Sequence, residues 1–161
     1  MTTMTPMLRV NALAHDDLAR IRARGTDDFD NPLIVTVVDS AGGTPLRCCL
    51  REANIGERVV LIAYQPATVG GPYAEVGPVF IHAEACEGYT DAHRYPDSFR
   101  QRRQLLRAYD ADGRIVDAMI AQDGDEAEGR CAAFFARSDV AYIHSRNVLY
   151  GCYMFTIRRP A

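Results

Sequence analysis

Val140-Ala141-Tyr142-Ile143-His144-Ser145-Arg146, then Asn147-Val148-Leu149, then Tyr150-Gly151-Cys152-Tyr153-Met154-Phe155-Thr156-Ile157-Arg158 sets two runs rich in aromatic and β-branched residues on either side of a short break. Such runs favour strands, and so short a break makes them a hairpin. With Asn147 to Leu149 as the loop, Arg146 pairs with Tyr150, His144 with Cys152 and Tyr142 with Met154. Opposed side chains on an antiparallel ladder lie roughly 4.5–5.5 Å apart. One sheet face is then expected to carry Tyr142, His144, Arg146, Tyr150 and Cys152. A one-residue change in loop length would break the His144–Cys152 pairing, because side-chain direction alternates with period two.

Upstream, Leu105–Tyr109 and Ile115–Ile120 flank Asp110-Ala111-Asp112-Gly113, a second hairpin whose glycine suits a left-handed turn position. Between the two hairpins, 124–137 reads as a helix. Its acids Asp125, Glu126 and Glu128 come early, and Ala127, Cys131, Phe134 and Phe135 form an apolar face. Arg58–Tyr64 and Val79–Ala83 read as core strands. Leu33–Val38 turns at Asp39–Gly43 and is expected to pair with Leu46–Leu50. Near the start, Leu8–Val10 is a short strand and Asp16–Arg24 a helix closed by Gly25; Pro96 opens a third, short helix reaching about Arg103. Strands joined by hairpins, with helices inserted at three places, predict an α+β fold: a mainly antiparallel sheet with about three helices packed on it, a single domain over 1–161.

A formal charge of −3 argues against a general polyanion binder, so no nucleic-acid partner is expected. No apolar run approaches a membrane span and the first ten residues lack the pattern of a secretory signal, which predicts a cytoplasmic protein without a membrane partner. All eighteen basic side chains are arginine. Pyridoxal phosphate enzymes, Schiff-base aldolases, P-loop proteins and kinases depend on a lysine, so their usual forms are excluded. Gly-x-Gly-x-x-Gly, Gly-x-Ser-x-Gly, His-Glu-x-x-His and Cys-x-x-Cys are absent as well. The five cysteines are expected as free thiols. Adjacent Cys48 and Cys49 would point to opposite faces of a strand and read as small apolar fillers.

Polar groups that carry chemistry gather in two places. Gln65–Pro78 is a long irregular connection punctuated by proline and glycine, in which Tyr73 offers a flat face with a polar tip and Glu75 a carboxylate. On the terminal hairpin, His144 beside Cys152 would be a candidate catalytic couple, the imidazole lowering the thiol pKa. Tyr73, Glu75, His82, Arg146 and Asn147 are the candidate ligand-binding side chains. His82, His144 and Cys152 form a nitrogen and sulfur set that zinc accepts, but their spacing matches no structural zinc pattern. His82-Ala83-Glu84 lacks the paired cysteines of the zinc deaminases. No metal site and no cofactor are therefore assigned. Arg94, Arg100, Arg102, Arg103 and Arg107 could grip a phosphate or a carboxylate through bidentate contacts, but on a short helix and the strand after it they read as a solvated face.

Gly71-Pro72-Tyr73 with Pro78-Val79-Phe80-Ile81, Arg107-Ala108-Tyr109-Asp110 with Gly113 and Val116, and Ala141-Tyr142-Ile143-His144 with Asn147, Gly151, Cys152 and Tyr153 resemble an uncharacterised bacterial family, domain of unknown function 1203. The resemblance implies one domain and brings no activity, cofactor or catalytic residue. The leading expectation is a small-molecule-binding protein, with enzymatic chemistry left open, whose pocket lies between the 65–78 loop and the 140–157 hairpin. Two others stand beside it: a non-catalytic interaction or structural module, a homodimer, and a Cys/His thiol enzyme or redox sensor.

Overall fold

The computed structural model describes residues 7–66 and 70–161. Its strands form two five-stranded sheets. The first is antiparallel throughout and contains β1 (Arg9–Asn11), β7 (Gln104–Tyr109), β8 (Ile115–Ala121), β9 (Tyr142–Asn147) and β10 (Tyr153–Arg158), in the order β1-β10-β9-β7-β8. The second contains β2 (Thr36–Val37), β3 (Pro45–Leu46), β4 (Arg51–Glu52), β5 (Arg58–Tyr64) and β6 (Gly77–His82), in the order β2-β5-β6-β3-β4. It is mixed, because β3 meets β6 in parallel at Leu46 and Phe80. The α+β class holds, with two sheets in place of one.

Each sheet has its own helix. Helix α1 (His15–Arg24) begins with Asp16 and Asp17, ends with Arg22 and Arg24, and so opposes its macrodipole at both ends. Gly25 takes φ 77° and donates its N–H to the Ile21 carbonyl, which closes the helix. Leu18 and Ile21 point into a core with Val60, Ile62 and Ile81 of the second sheet. Helix α2 (Gly124–Phe135) is capped by Asp123, whose side chain accepts the Glu126 N–H at 2.8 Å. Its Ala127, Cys131 and Phe134 join Leu106, Ile143 and Phe155 of the first sheet in a second core.

The third helix expected from Pro96 is only a single 3-10 turn, Asp97–Phe99. Phe99 is the one apolar side chain between Asp97 and Arg103, so no further turn has a stripe to bury. The expected pairing of Leu33–Val38 with Leu46–Leu50 is not made either. Strand β2 lies along β5, with Ile34 70% and Val37 59% exposed. Residues 45–50 are buried without a break, against the alternation of a half-buried strand. There the chain wraps into one helical turn, Leu50 N–H to Leu46 carbonyl at 3.0 Å.

The terminal hairpin forms in a different register. Tyr153 faces Arg146, a bulge follows, and Thr156 faces His144. The loop spans five residues, 148–152, because the Asn147 side chain accepts the N–H groups of Leu149 (3.0 Å) and Tyr150 (3.1 Å) and Gly151 takes φ 73°. His144 and Cys152 are consequently not cross-strand partners. The two sheets meet where β10 approaches β6, and the buried Arg47 guanidinium ties them by donating to the Tyr153 carbonyl at 2.8 Å.

Candidate functional site

Strand β7 pairs with β9 so that Arg107 opposes His144, Leu105 opposes Arg146 and Tyr109 opposes Tyr142. Period-two alternation then sorts the side chains. Leu106, Ala108, Ile143, Phe155 and Ile157 face the α2 core, and the opposite face carries Arg107, Tyr109, Tyr142, His144 and Arg146.

His144 sits in an aromatic box. Its ring lies 4.6 Å from that of Tyr109, 5.0 Å from Tyr153 and 5.4 Å from Tyr142, centre to centre. The residue is 3% exposed, and neither ring nitrogen has a hydrogen-bond partner among the described residues. Burial, reinforced by the positive charges of Arg146, Arg107 and Arg158, pushes its pKa down to about 3, so the ring is neutral at physiological pH.

Above this ring two guanidinium groups converge on one carboxylate. Glu75 Oε1 accepts from Arg107 Nη1 at 2.7 Å, and Oε2 accepts from Arg146 Nη2 at 2.6 Å. Arg146 is itself steadied by donating Nε to the Gly151 carbonyl at 2.9 Å. Glu75 comes from the segment between β5 and β6, where a turn closed by the Ala74 N–H on the Gly71 carbonyl precedes β6. Glu75 is a loop residue, half-exposed at 45%, whereas the Arg146 side chain is 9% exposed. The carboxylate is thus the more exposed partner of the ion pair, and the two arginines are the more enclosed ones.

Beneath Glu75, between Tyr73, Tyr109, His144 and Arg146, remains a gap of about 10 Å³, room for no more than one water molecule. Beside it opens a hollow of about 210 Å³ lined by Tyr64, Glu75, Arg146, Tyr150, Cys152 and Tyr153. A further hollow of about 360 Å³ shares Pro78, Tyr150 and Cys152 with it and reaches Phe80, Arg47 and Arg102. Among the described residues Arg47 finds only carbonyl hydrogen-bond partners, Tyr153 and Pro45; burial pushes its pKa down to about 10, which leaves it charged. Arg102 pairs with Glu52 through Nη1 at 2.8 Å, while its Nε and Nη2 are buried with no hydrogen-bond partner among the described residues. One end of the trough thus sets Arg47 and Arg102 beside Glu52, and the other sets Arg146 beside Glu75.

Of the side chains singled out from the sequence, Tyr73, Glu75, His144 and Arg146 surround one gap. Asn147 borders the larger hollow, but its side chain is engaged in holding the hairpin loop. Cys152 lines the trough with its Sγ 3.9 Å from the Tyr150 carbonyl, and His144 opposes Thr156 instead of it. His82 ends β6 elsewhere, among Cys48, Cys49 and Cys86. The zinc set of His82, His144 and Cys152 weighed from the sequence is accordingly not assembled. Arg107, read from the sequence as part of a solvated arginine face, is instead largely enclosed and paired with Glu75, because the long-range β7–β9 pairing sets it opposite His144.

No helix among the described residues is long and apolar enough to cross a membrane. No curated protein and no solved structure matches the chain. Residues 43–159 match the model of a family described as "Protein of unknown function (DUF1203)", a stretch that holds Glu75, Arg107, His144 and Arg146. With almost three quarters of its length inside that match, the chain belongs to this family.

Proposed function

We propose that this protein binds a small molecule carrying a carboxylate or phosphate, with Arg107 and Arg146 as the anion clamp and Glu75 as a built-in occupant that the ligand displaces. The carrying observation is the convergence of two guanidinium groups on one loop carboxylate above a neutral imidazole with no hydrogen-bond partner among the described residues. Arginine presents its donors in a planar fork suited to carboxylate and phosphate oxygens. A buried imidazole without partners is costly to keep, and a ligand supplying one donor or acceptor would relieve that cost. The body of the ligand would lie along the 210 Å³ hollow, against Tyr64, Tyr150 and Tyr153.

The reading is one of recognition. An imidazole whose pKa lies near 3 is too weak a base to take a proton at neutral pH, so His144 serves as a hydrogen-bonding group. Isothermal titration of the protein with succinate and with inorganic phosphate at low ionic strength tests it. Saturable binding of either anion, abolished in both Arg107→Gln and Arg146→Gln, supports the assignment. Binding that persists in both variants, or none of either anion by the native protein, refutes it.

A further inference from the structure

Away from the trough, four side chains with soft or borderline donor atoms meet at the end of β6. Cys48 and Cys49 lie on the helical turn after β3, His82 is the last residue of β6, and Cys86 follows four residues later. Their three Sγ atoms and one ring nitrogen all lie within 4.8 Å of one another. We infer that these residues form a tetrahedral zinc site with three thiolates and His82 Nδ1 as ligands.

Bond lengths of about 2.3 Å to sulfur and about 2.0 Å to nitrogen put ligand atoms on a tetrahedron with edges of roughly 3.8 Å between sulfurs and roughly 3.5 Å between sulfur and nitrogen. The Cys48 and Cys49 sulfurs are 3.9 Å apart, and His82 Nδ1 lies 3.5 Å from Cys48 and 3.8 Å from Cys49. Three edges of the polyhedron are therefore already set. The helical turn makes this geometry available: adjacent residues there lie about 100° apart around the axis, so neighbouring cysteines can aim at a common point.

The surroundings match those of a metal-bound histidine. His82 Nε2 meets Glu57 Oε2 at 2.5 Å, and Glu57 is fixed by two bonds from Arg51, at 2.7 and 2.9 Å, and by the Asn54 N–H at 2.7 Å. With Glu57 so held as a carboxylate, Nε2 carries the proton and Nδ1 presents its lone pair to the sulfurs. A carboxylate behind a ligating imidazole orients the ring and raises its basicity. The His82 backbone N–H points at Cys48 Sγ, 3.3 Å away, in a contact that favours thiolate. A hollow of about 330 Å³ reaches His82 and Cys86 from solvent; its lining holds Glu57 paired with Arg51, Glu84 paired with Arg58, and Glu87. Zn²⁺ is the ion favoured by a thiolate-rich set with one imidazole. On binding, each thiol that still carries its proton passes it to water, three Zn–S bonds and one Zn–N bond form, and Zn²⁺ sheds its hydration. Four protein ligands leave no open position, which makes the site structural. It would join the 47–50 turn to the segment after β6.

The test uses the full-length protein, reduced and freed of metal with a chelator, then titrated with Co²⁺ and back-titrated with Zn²⁺. The expected result is one Co²⁺ per chain, with the visible absorption of a tetrahedral thiolate complex and a sulfur-to-metal charge-transfer band, bleached by equimolar Zn²⁺. Zn²⁺ binding in weak buffer should release protons, and the partly exposed Cys86 thiol should become resistant to a thiol reagent. Cys86→Ser should weaken Zn²⁺ binding by at least about 100-fold and Glu57→Gln by about 10- to 100-fold, with Cys152→Ser unchanged. Circular dichroism monitors the fold; if Cys86→Ser unfolds, Glu57→Gln decides. Absence of the charge-transfer band with Cys86 as reactive after Zn²⁺ as before overturns the assignment, as does unaltered Zn²⁺ affinity in a folded Cys86→Ser or Glu57→Gln protein.

Discussion

Replacing Glu75 by Gln keeps the shape of the side chain and removes the charge that holds Arg107 and Arg146. The carboxylate makes one charge-assisted hydrogen bond to each guanidinium, at 2.7 and 2.6 Å. Fully buried, each would contribute roughly 1.5–3 kcal/mol. With Glu75 45% exposed, solvent screening brings the pair together to roughly 1–2 kcal/mol. Two effects of opposite sign follow. The free protein loses about that much stability, because two cationic groups remain without their counter-charge. A ligand anion no longer competes with the loop, so its affinity rises by the same free energy, roughly 5- to 30-fold at about 1.4 kcal/mol per factor of ten. Calorimetric titration with succinate at low ionic strength measures the gain, and thermal unfolding with and without succinate measures the loss and its recovery. Glu84→Gln, which removes an exposed carboxylate paired with Arg58, serves as the control and should change neither. Equal or weaker succinate binding by the Glu75→Gln protein would show that Glu75 is a permanent part of the fold, and the displacement argument would fail.

Other outcomes follow from the same structure. His144 carries a pKa near 3 in the fold, while an unfolded histidine titrates near 6.5. Between those values the unfolded chain binds a proton that the native one does not, so acidification destabilises the fold by up to about 1.4 kcal/mol per pH unit. His144→Leu should flatten urea midpoints measured from pH 7 to pH 4, and an unchanged slope contradicts the buried, neutral ring. The buried carboxylate of Asp27 accepts the backbone N–H groups of Phe29, Asn31 and Ala63 at 2.9, 3.0 and 2.8 Å, so Asp27→Ala should cost roughly 2–4 kcal/mol in chemical denaturation; a cost below 1 kcal/mol would mean that these donors find other acceptors. Asp123→Ala removes the cap of α2 and should cost about 1 kcal/mol, with a helical signal that melts earlier.

Local rules made much of the fold legible. Asp16, Asp17, the terminal arginines and Gly25 locate α1 to within a residue, and Asp110 to Gly113 marks the β7–β8 hairpin, where Asp110 Oδ1 accepts the N–H groups of Asp112 and Arg114. Those features are settled by neighbours a few positions away. The register of the terminal hairpin is not, because it turns on one side-chain acceptor, Asn147, and a five-residue loop that a three-residue one mimics in the sequence. Tyr142, His144 and Arg146 share a face in either register, since alternation along β9 is independent of its partner. Arg107 joins them only through β7, and Glu75 only through a loop whose path no periodicity encodes. The cysteine cluster was hidden for a related reason. Cys48 and Cys49 read as opposite-facing on a strand, and only the buried helical turn at 47–50 brings their sulfurs together.

The crystal structure of the protein grown with succinate addresses the central claim at the level of atoms. A ligand carboxylate seated between the Arg107 and Arg146 guanidinium groups, with Glu75 withdrawn toward solvent and a ligand atom within hydrogen-bond reach of the His144 ring, is the predicted outcome. Glu75 still bridging both arginines at saturating succinate, with the anion bound elsewhere or not at all, would contradict it.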